Sequence, residues 1–222
     1  MYVQFSFSKL SLANKIIIIL TAGVSVAALL LQAIARELSY YIYFLSVTPV
    51  YFMPWQPVTL FLINLNLFGL LFDLFALWMF GSVLESREGT KHYLTSFFIS
   101  IIISGVSYFL LAKAFNVRAP FYGITPGVLS LLCGFTYFWP NSQIYVFGIF
   151  PVKSKWLMLF YGIILFLSMI MGLNAQGIHI GIMFLSIIIG VVVSILYIHF
   201  IFLEYSKASS ILVPRKSSSN TA

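Results

Sequence analysis

The chain is laid out as long, unbroken apolar runs separated by short polar or proline-bearing breaks. Runs near the roughly 20 residues needed to cross a hydrocarbon core fall at 15–35, 57–80, 93–112, 122–139, 156–173 and 178–203. Apolar residues follow one another instead of alternating with polar ones, which predicts helices and not the strands of a membrane barrel. Six such spans put both termini on one side of the bilayer. Between the first two, Tyr40 to Pro54 is apolar and aromatic but carries Pro49 and Pro54. Proline interrupts a helix, so this stretch is expected to lie as an interfacial or re-entrant loop.

Composition turns the pattern into a class. Hydrophobic residues make up 61 % of the chain and Asp, Glu, Lys and Arg 8 %, against about half and about one quarter in soluble domains. The chain reads as an all-α integral membrane protein, because lipid leaves backbone groups no partner outside a helix or a closed barrel. Its basic residues divide unevenly: Lys9, Lys15, Arg87, Lys91, Lys153, Lys155, Lys207, Arg215 and Lys216 fall on one side, Arg36, Lys113 and Arg118 on the other. The positive-inside rule then puts both termini in the cytoplasm. The expected organisation is a cytoplasmic segment 1–14, a six-helix membrane domain 15–205, and a polar, disordered cytoplasmic tail 206–222.

The same asymmetry accounts for the pI of about 9.5 as topology. Dispersed basic residues without an aromatic-basic surface exclude a nucleic-acid partner. Ala33-Ile-Ala35 has the look of a signal-peptide cleavage site. The apolar run before it is longer than a usual signal core, however, and its removal would leave an odd number of spans. Cys133 is the single cysteine, so no intrachain disulfide forms. The three histidines, His92, His179 and His199, lack ligand spacing, so no metal is expected, and no cofactor is implied. The Ile- and Phe-rich composition fits a bacterial inner membrane or a eukaryotic internal membrane.

Four patches interrupt the apolar background. Trp55-Gln-Pro-Val-Thr59 opens the second run, and Leu77-Trp-Met-Phe-Gly-Ser-Val-Leu-Glu-Ser-Arg-Glu-Gly89 closes it. Tyr122-Gly-Ile-Thr-Pro-Gly127 opens the fourth, and His179 sits near the start of the sixth. An ionisable residue in such a run is costly and by default marks a working site. Asp73, inside the second run, must be protonated or paired, with Asn64, Asn66 and Thr125 as candidate partners. Gly181, Ser186 and Gly190 allow close helix approach. Trp55, Trp78, Trp139 and Trp156 lie near run ends, where aromatic belts occur.

The order and spacing of these patches resemble the rhomboid family of intramembrane serine proteases over about residues 14–205. Trp55 to Thr59 matches the family's Trp-x-x-x-Thr opening, and Gly81-Ser-Val-Leu-Glu85 its Gly-x-x-x-Glu exit, with Arg87 and Gly89 following. Trp139-Pro-Asn141 and Ile149 to Lys155 are similar to the family's connection between its fourth and fifth spans. The resemblance implies a six-helix rhomboid-like bundle in which a histidine activates a hydroxyl nucleophile and donors face a developing oxyanion. His179 falls on the base position and Thr125 on the nucleophile position of the Gly123–Gly127 turn. Asn64, Gly69 and Asp73 fall on the oxyanion positions.

The departures from the family pattern bear on one chemistry. Thr125 adds a methyl that restricts its rotamer, and Pro126, where the family has glycine, offers no N–H. Gly69 has no side-chain donor, and an ionised Asp73 offers only acceptors. Thr125 before Pro126 also reads as a helix N-cap, and His179 as a bundle histidine without a task. The expected function is binding the transmembrane segments of client proteins without cutting them. The alternative is an active endopeptidase using Thr125 with His179. A channel or transporter would need more intramembrane charge and an internal repeat.

Overall fold

The computed structural model describes residues 10–34, 40–146 and 150–212. Lys9, Ala35, Arg36, Ile149, Arg215, Lys216 and the rest of the polar tail from residue 213 lie outside the described residues. The described chain is almost entirely helical: α1 (Leu12–Ile34), α2 (Tyr40–Leu45), α3 (Gln56–Thr59), α4 (Leu67–Ala76), α5 (Ser82–Ala114), α6 (Thr125–Phe138), α7 (Ser154–Gln176) and α8 (Ile178–Leu212). Between α6 and α7 stands a two-stranded antiparallel hairpin, β1 (Gln143–Val146) and β2 (Phe150–Lys153), in which Gln143 pairs with Lys153 and Val146 with Phe150. Three helical stretches are long and apolar enough to cross a membrane: Leu12–Ile34, Leu67–Ala114 and Ile178–Ile201.

The expected second run, 57–80, does not form one helix. Pro57 opens α3, a 3-10 turn follows over Leu60–Leu62, and Ile63 is extended at φ −110°, ψ 127°. The helix restarts only at Leu67, because two asparagines divert the backbone. Asn64 Oδ1 accepts from the N–H of Asn66 at 3.1 Å, and Asn66 Oδ1 accepts from the N–H of Gly69 at 3.1 Å, capping α4. Ser25 of α1 covers the same break: its hydroxyl donates to Leu62 O at 3.1 Å and accepts from the Asn64 N–H at 2.9 Å.

A second irregularity joins α4 to α5. Residues Leu77–Gly81 form a π turn, which shifts the hydrogen-bond ladder and frees a carbonyl. Asn14 of α1, wholly buried, takes it up: Nδ2 donates to Leu77 O at 2.9 Å and to Ser82 Oγ at 3.2 Å, while Tyr93 OH donates to its Oδ1 at 3.2 Å. A Cβ on Gly81 would stand 2.8 Å from the Asn14 amide, so this position needs glycine. At Gly89 (φ 80°, ψ 154°) the helix breaks and the chain doubles back. Tyr93 thereby returns to Asn14, and Gly105 stands against Pro57 and Leu60, where a Cβ would meet Leu60 Cδ2 at 2.7 Å.

The most extensive packing is α5 against α8, with α6 lying between them and the hairpin end. Small residues let these backbones approach closely. Ser96, Ser100 and Ser104 on α5 and Ser186, Gly190 and Ser194 on α8 are each spaced one turn apart, and the serines are fully buried. Ser194 donates to Ser96 O at 2.9 Å, Ser186 to Ile182 O at 2.7 Å, and Ser100 to Pro126 O at 2.7 Å. A Cβ on Gly190 would run into Ser104 and the Ser100 carbonyl, and one on Gly127 into Phe97 and Ile101. The expected stripe at Ser186 and Gly190 therefore extends towards Ser194.

The expected fourth run, 122–139, is a helix of only 14 residues, opened after Gly123 (φ 122°) and closed at Trp139. Nine of those residues are buried, so α6 sits inside the bundle. Helix α8 continues to Leu212, so residues 206–212, assigned from the sequence to the tail, extend it. The first loop is folded about Gln56, which is 1 % exposed. Gln56 Nε2 donates to Tyr43 O, Thr48 Oγ1 and Tyr51 O, and its Oε1 accepts from the N–H groups of Thr48 and Met53. An antiparallel pair of 2.9 Å bonds between Val47 and Phe121 ties this loop to the approach of α6.

Asn14→Leu should strip the π turn of its partner and lower stability by about 1–2 kcal/mol, the range for a buried hydrogen bond between membrane helices. Gly190→Leu should cost more, because it separates two backbones. Thermal unfolding in detergent checks both, with the exposed Leu196→Ala as a neutral control.

Candidate functional site

Three polar side chains of the bundle, those of Thr125, Tyr161 and Asn64, converge on Asp73. It lies on the second turn of α4 with 2 % of its surface exposed. Thr125 Oγ1 donates to its Oδ2 at 2.9 Å, Tyr161 OH from α7 donates to its Oδ1 at 2.7 Å, and Asn64 Nδ2 approaches Oδ2 at 3.4 Å. The cluster thus joins the α4 approach, α4, α6 and α7. Every one of these partners is neutral. Among the described residues no group of three His, Cys, Asp or Glu side chains converges as a metal site.

Thr125 does not cap α6. Ile124 holds the N-cap position with no side-chain cap, and Thr125 is the first helical residue with Pro126 behind it. A first-turn hydroxyl is free to leave its own backbone, and Asp73 takes it. Of the three expected partners of Asp73, Thr125 and Asn64 are engaged, whereas Asn66 is committed to capping α4.

His179 stands apart from this cluster, in the first turn of α8. Its ring meets Tyr108 edge-on at 5.9 Å and 87°. The Pro120 backbone lies near the ring, and neither ring nitrogen makes a hydrogen bond of normal geometry among the described residues. Tyr108 stacks on Phe121 at 4.9 Å and donates to Ala119 O at 2.7 Å, so its hydroxyl is committed too. The nucleophile position and the base position are therefore not hydrogen-bonded to one another.

The oxyanion positions fare no better as donors. Asn64 directs its amide to Asp73, the Gly69 N–H goes to Asn66, and Asp73 is itself the acceptor for its neighbours. The Gly123 N–H, in the turn before Thr125, is bound to Leu60 O at 2.9 Å. Chemically, the arrangement holds a carboxyl in place among two hydroxyl donors and an amide.

The remaining sequence-predicted residues form the scaffold. Trp55 is 42 % exposed and its Nε1 donates to Phe44 O at 3.2 Å; Thr59 donates to Leu45 O at 3.0 Å. Gly81 and Gly89 serve the π turn and the chain reversal. Glu85 accepts from Thr90 Oγ1 at 2.7 Å and from Ser11 Oγ, tying α1 to the reversal. The Arg87 guanidinium lies over the rings of Phe138 and Trp139 at 3.9 and 4.5 Å, a cation–π contact that holds the end of α6. Gly127 and Gly190 are close-approach positions, and Gly181 lies partly buried in the opening turns of α8.

Sequence reasoning passed over Asn14, Gln56 and Tyr161. Asn14 precedes its apolar run by one residue and reads as a flank. Tyr161 lies about two turns inside α7, deeper than a belt tyrosine at a span end, and that depth was the available signal.

Residues 15–217 match the family described as eukaryotic integral membrane protein (DUF1751). No curated protein matches the chain.

Thr125→Val, which keeps the shape and removes the hydroxyl, should destabilise the protein by about 1–2 kcal/mol, whereas Thr125→Ser should be close to neutral. His179→Phe should leave stability unchanged or raise it, since the imidazole has no hydrogen bond to lose. Denaturation of the three variants in one detergent tests the assignment. A His179→Phe loss as large as that of Thr125→Val would mean that the imidazole is bonded after all.

Proposed function

The chain belongs to the eukaryotic integral membrane protein family DUF1751, and from that footing we propose that it is a rhomboid-like pseudoprotease of six membrane spans that binds transmembrane segments of client proteins without cleaving them. The observation that carries this reading is the diversion of the Thr125 hydroxyl to Asp73 while His179 has no hydrogen-bond partner. A hydroxyl becomes a nucleophile only when a base within hydrogen-bond reach takes its proton. The bond goes to Asp73 on α4 and not to His179 on α8, so the histidine-activated hydroxyl that the family chemistry needs is not assembled.

The spans of the proposed topology are α1, the rod from α4 to Gly89, the rod from Gly89 to Ala114, α6, α7 and α8. Both termini then lie in the cytoplasm of a eukaryotic internal membrane, with Arg87, Lys91, Lys153 and Lys155 on the same face. The loop around Gln56 lies at the opposite interface. Its exposed side chains Tyr43, Phe44, Tyr51, Phe52 and Trp55 are aromatic, as an interfacial segment requires. Retained scaffold motifs with an unassembled catalytic pair support binding as the surviving activity.

Purified protein reconstituted with single-span helices should associate with them and leave them intact. Thr125→Ser should not create cleavage, because serine would still donate to Asp73 and His179 would still lack it. Cleavage products that appear with the native chain and vanish in both Thr125→Ala and His179→Ala would overturn the reading in favour of an active peptidase. Absence of association with any helix would remove the binding claim.

A further inference from the structure

Two pairs of basic side chains are brought to the same end of the bundle. Arg87 and Lys91 flank the chain reversal at Gly89, and Lys153 and Lys155 stand where the hairpin passes into α7; all four are exposed. Trp139 joins the pairs. Its ring lies 4.5 Å from the Arg87 guanidinium, and its carbonyl accepts from Ser154 Oγ, on the residue between the two lysines. Contacts of the fold, and not closeness in sequence, therefore assemble this surface.

Arg87 is fixed in place without being neutralised. Phe138 at 3.9 Å and Trp139 at 4.5 Å lie against its guanidinium, and among the described residues no hydrogen bond or ion pair takes its N–H donors. The two carboxylates beside it are committed or withdrawn. Glu85 accepts from Ser11 and Thr90, while the Glu88 oxygens are buried with no hydrogen-bond partner. A guanidinium held by its face keeps a planar fork of donors, which matches two oxygens of one phosphate group.

The position points to the bilayer as the source of that phosphate. Trp139 and Trp156 flank the surface, as aromatic residues do at the level of lipid headgroups. Beneath Lys155 the same face of α7 carries Leu159, Ile163 and Phe166, which are 53, 46 and 53 % exposed; their spacing repeats that of one helical face. A cation heading an open apolar strip suits an amphiphile better than a soluble anion. Basic surfaces at cytoplasmic helix ends receive anionic headgroups in this way.

Resting on the topology set out under the proposed function, we propose that this surface binds the headgroup of a polyanionic phospholipid, with a phosphomonoester in the fork of Arg87. Lys91, Lys153 and Lys155 answer the remaining negative charge. The acyl chains run down α7 past Leu159 and Ile163.

The test places the full chain in phosphatidylcholine nanodiscs and titrates it with fluorescent phosphatidylinositol bisphosphate, phosphatidylserine or phosphatidylcholine, and with soluble inositol trisphosphate and an acidic peptide. The phosphoinositide should bind about tenfold or more tightly than phosphatidylserine, and the soluble anions more weakly than the lipid. Lys153→Gln combined with Lys155→Gln should weaken phosphoinositide binding about fivefold for each charge removed. Arg87→Gln should weaken it about tenfold, and Arg87→Lys severalfold although the charge is kept, because the fork is lost. Arg118→Gln, at the other end of the bundle, should leave it unchanged.

Phosphatidylserine bound as tightly as the phosphoinositide, or native affinity in Arg87→Lys, would reduce the surface to a diffuse positive field and overturn the proposal. Inositol trisphosphate or the acidic peptide bound as tightly as the lipid would overturn the assignment to a lipid. If the Arg87 variants do not fold, the lipid panel and the lysine pair still decide. Association with client helices is measured separately in phosphatidylcholine alone, so failure of the headgroup site and failure of the binding function are distinguishable.

Discussion

Lipid offers the backbone no hydrogen-bond partner, and several departures from regular helix among the described residues are matched to a side chain that supplies one. Asn14 takes the Leu77 carbonyl at the π turn, Ser25 serves Leu62 and Asn64 where α4 has not yet begun, and Asn66 caps α4. Gln56 uses both ends of its amide on the first loop. Ser154 ties the end of the hairpin back to Trp139 and Ser142. Most of these polar residues are buried, and their positions are those of the breaks. They fix where helices stop far more tightly than hydropathy does.

The same economy of donors governs the candidate site. A carboxyl held inside a bundle competes for every hydroxyl within reach, and Asp73 holds two of them, from Thr125 and Tyr161. A family asparagine at this position would offer a donor to an anion; an aspartate collects donors instead. On the rhomboid-like reading proposed above, an aspartate here would account for both the missing oxyanion donor and the turning of the Thr125 hydroxyl towards α4.

Hydropathy made the apolar runs legible, and α1, α5, α7 and α8 lie close to where the runs predict them. It could not show that 57–80 breaks at Ile63, since Asn64 and Asn66 look like two tolerated polar residues until their side chains are seen capping backbone. Nor does any periodicity mark the π turn, whose cause is the fit of Asn14 against Gly81. The hairpin of β1 and β2 escaped because its residues are too few for a strand pattern. At the site, Thr125 and Asn64 were among the candidate partners of Asp73, but nothing in one dimension could choose between a cap and a carboxyl. Tyr161 could be noticed by its depth in α7, but its partner could not, because tyrosine in an apolar run also satisfies packing.

The chain reversal at Gly89 has a consequence for biosynthesis. With helix on both sides of a single non-helical residue, no hydrophilic loop separates α4 from the second half of α5. A joint this short favours entry of the two rods into the bilayer together, as a helical hairpin, over entry one at a time with a relaxed linker between them. The flanking Arg87 and Lys91 would stop it from passing through in the wrong direction.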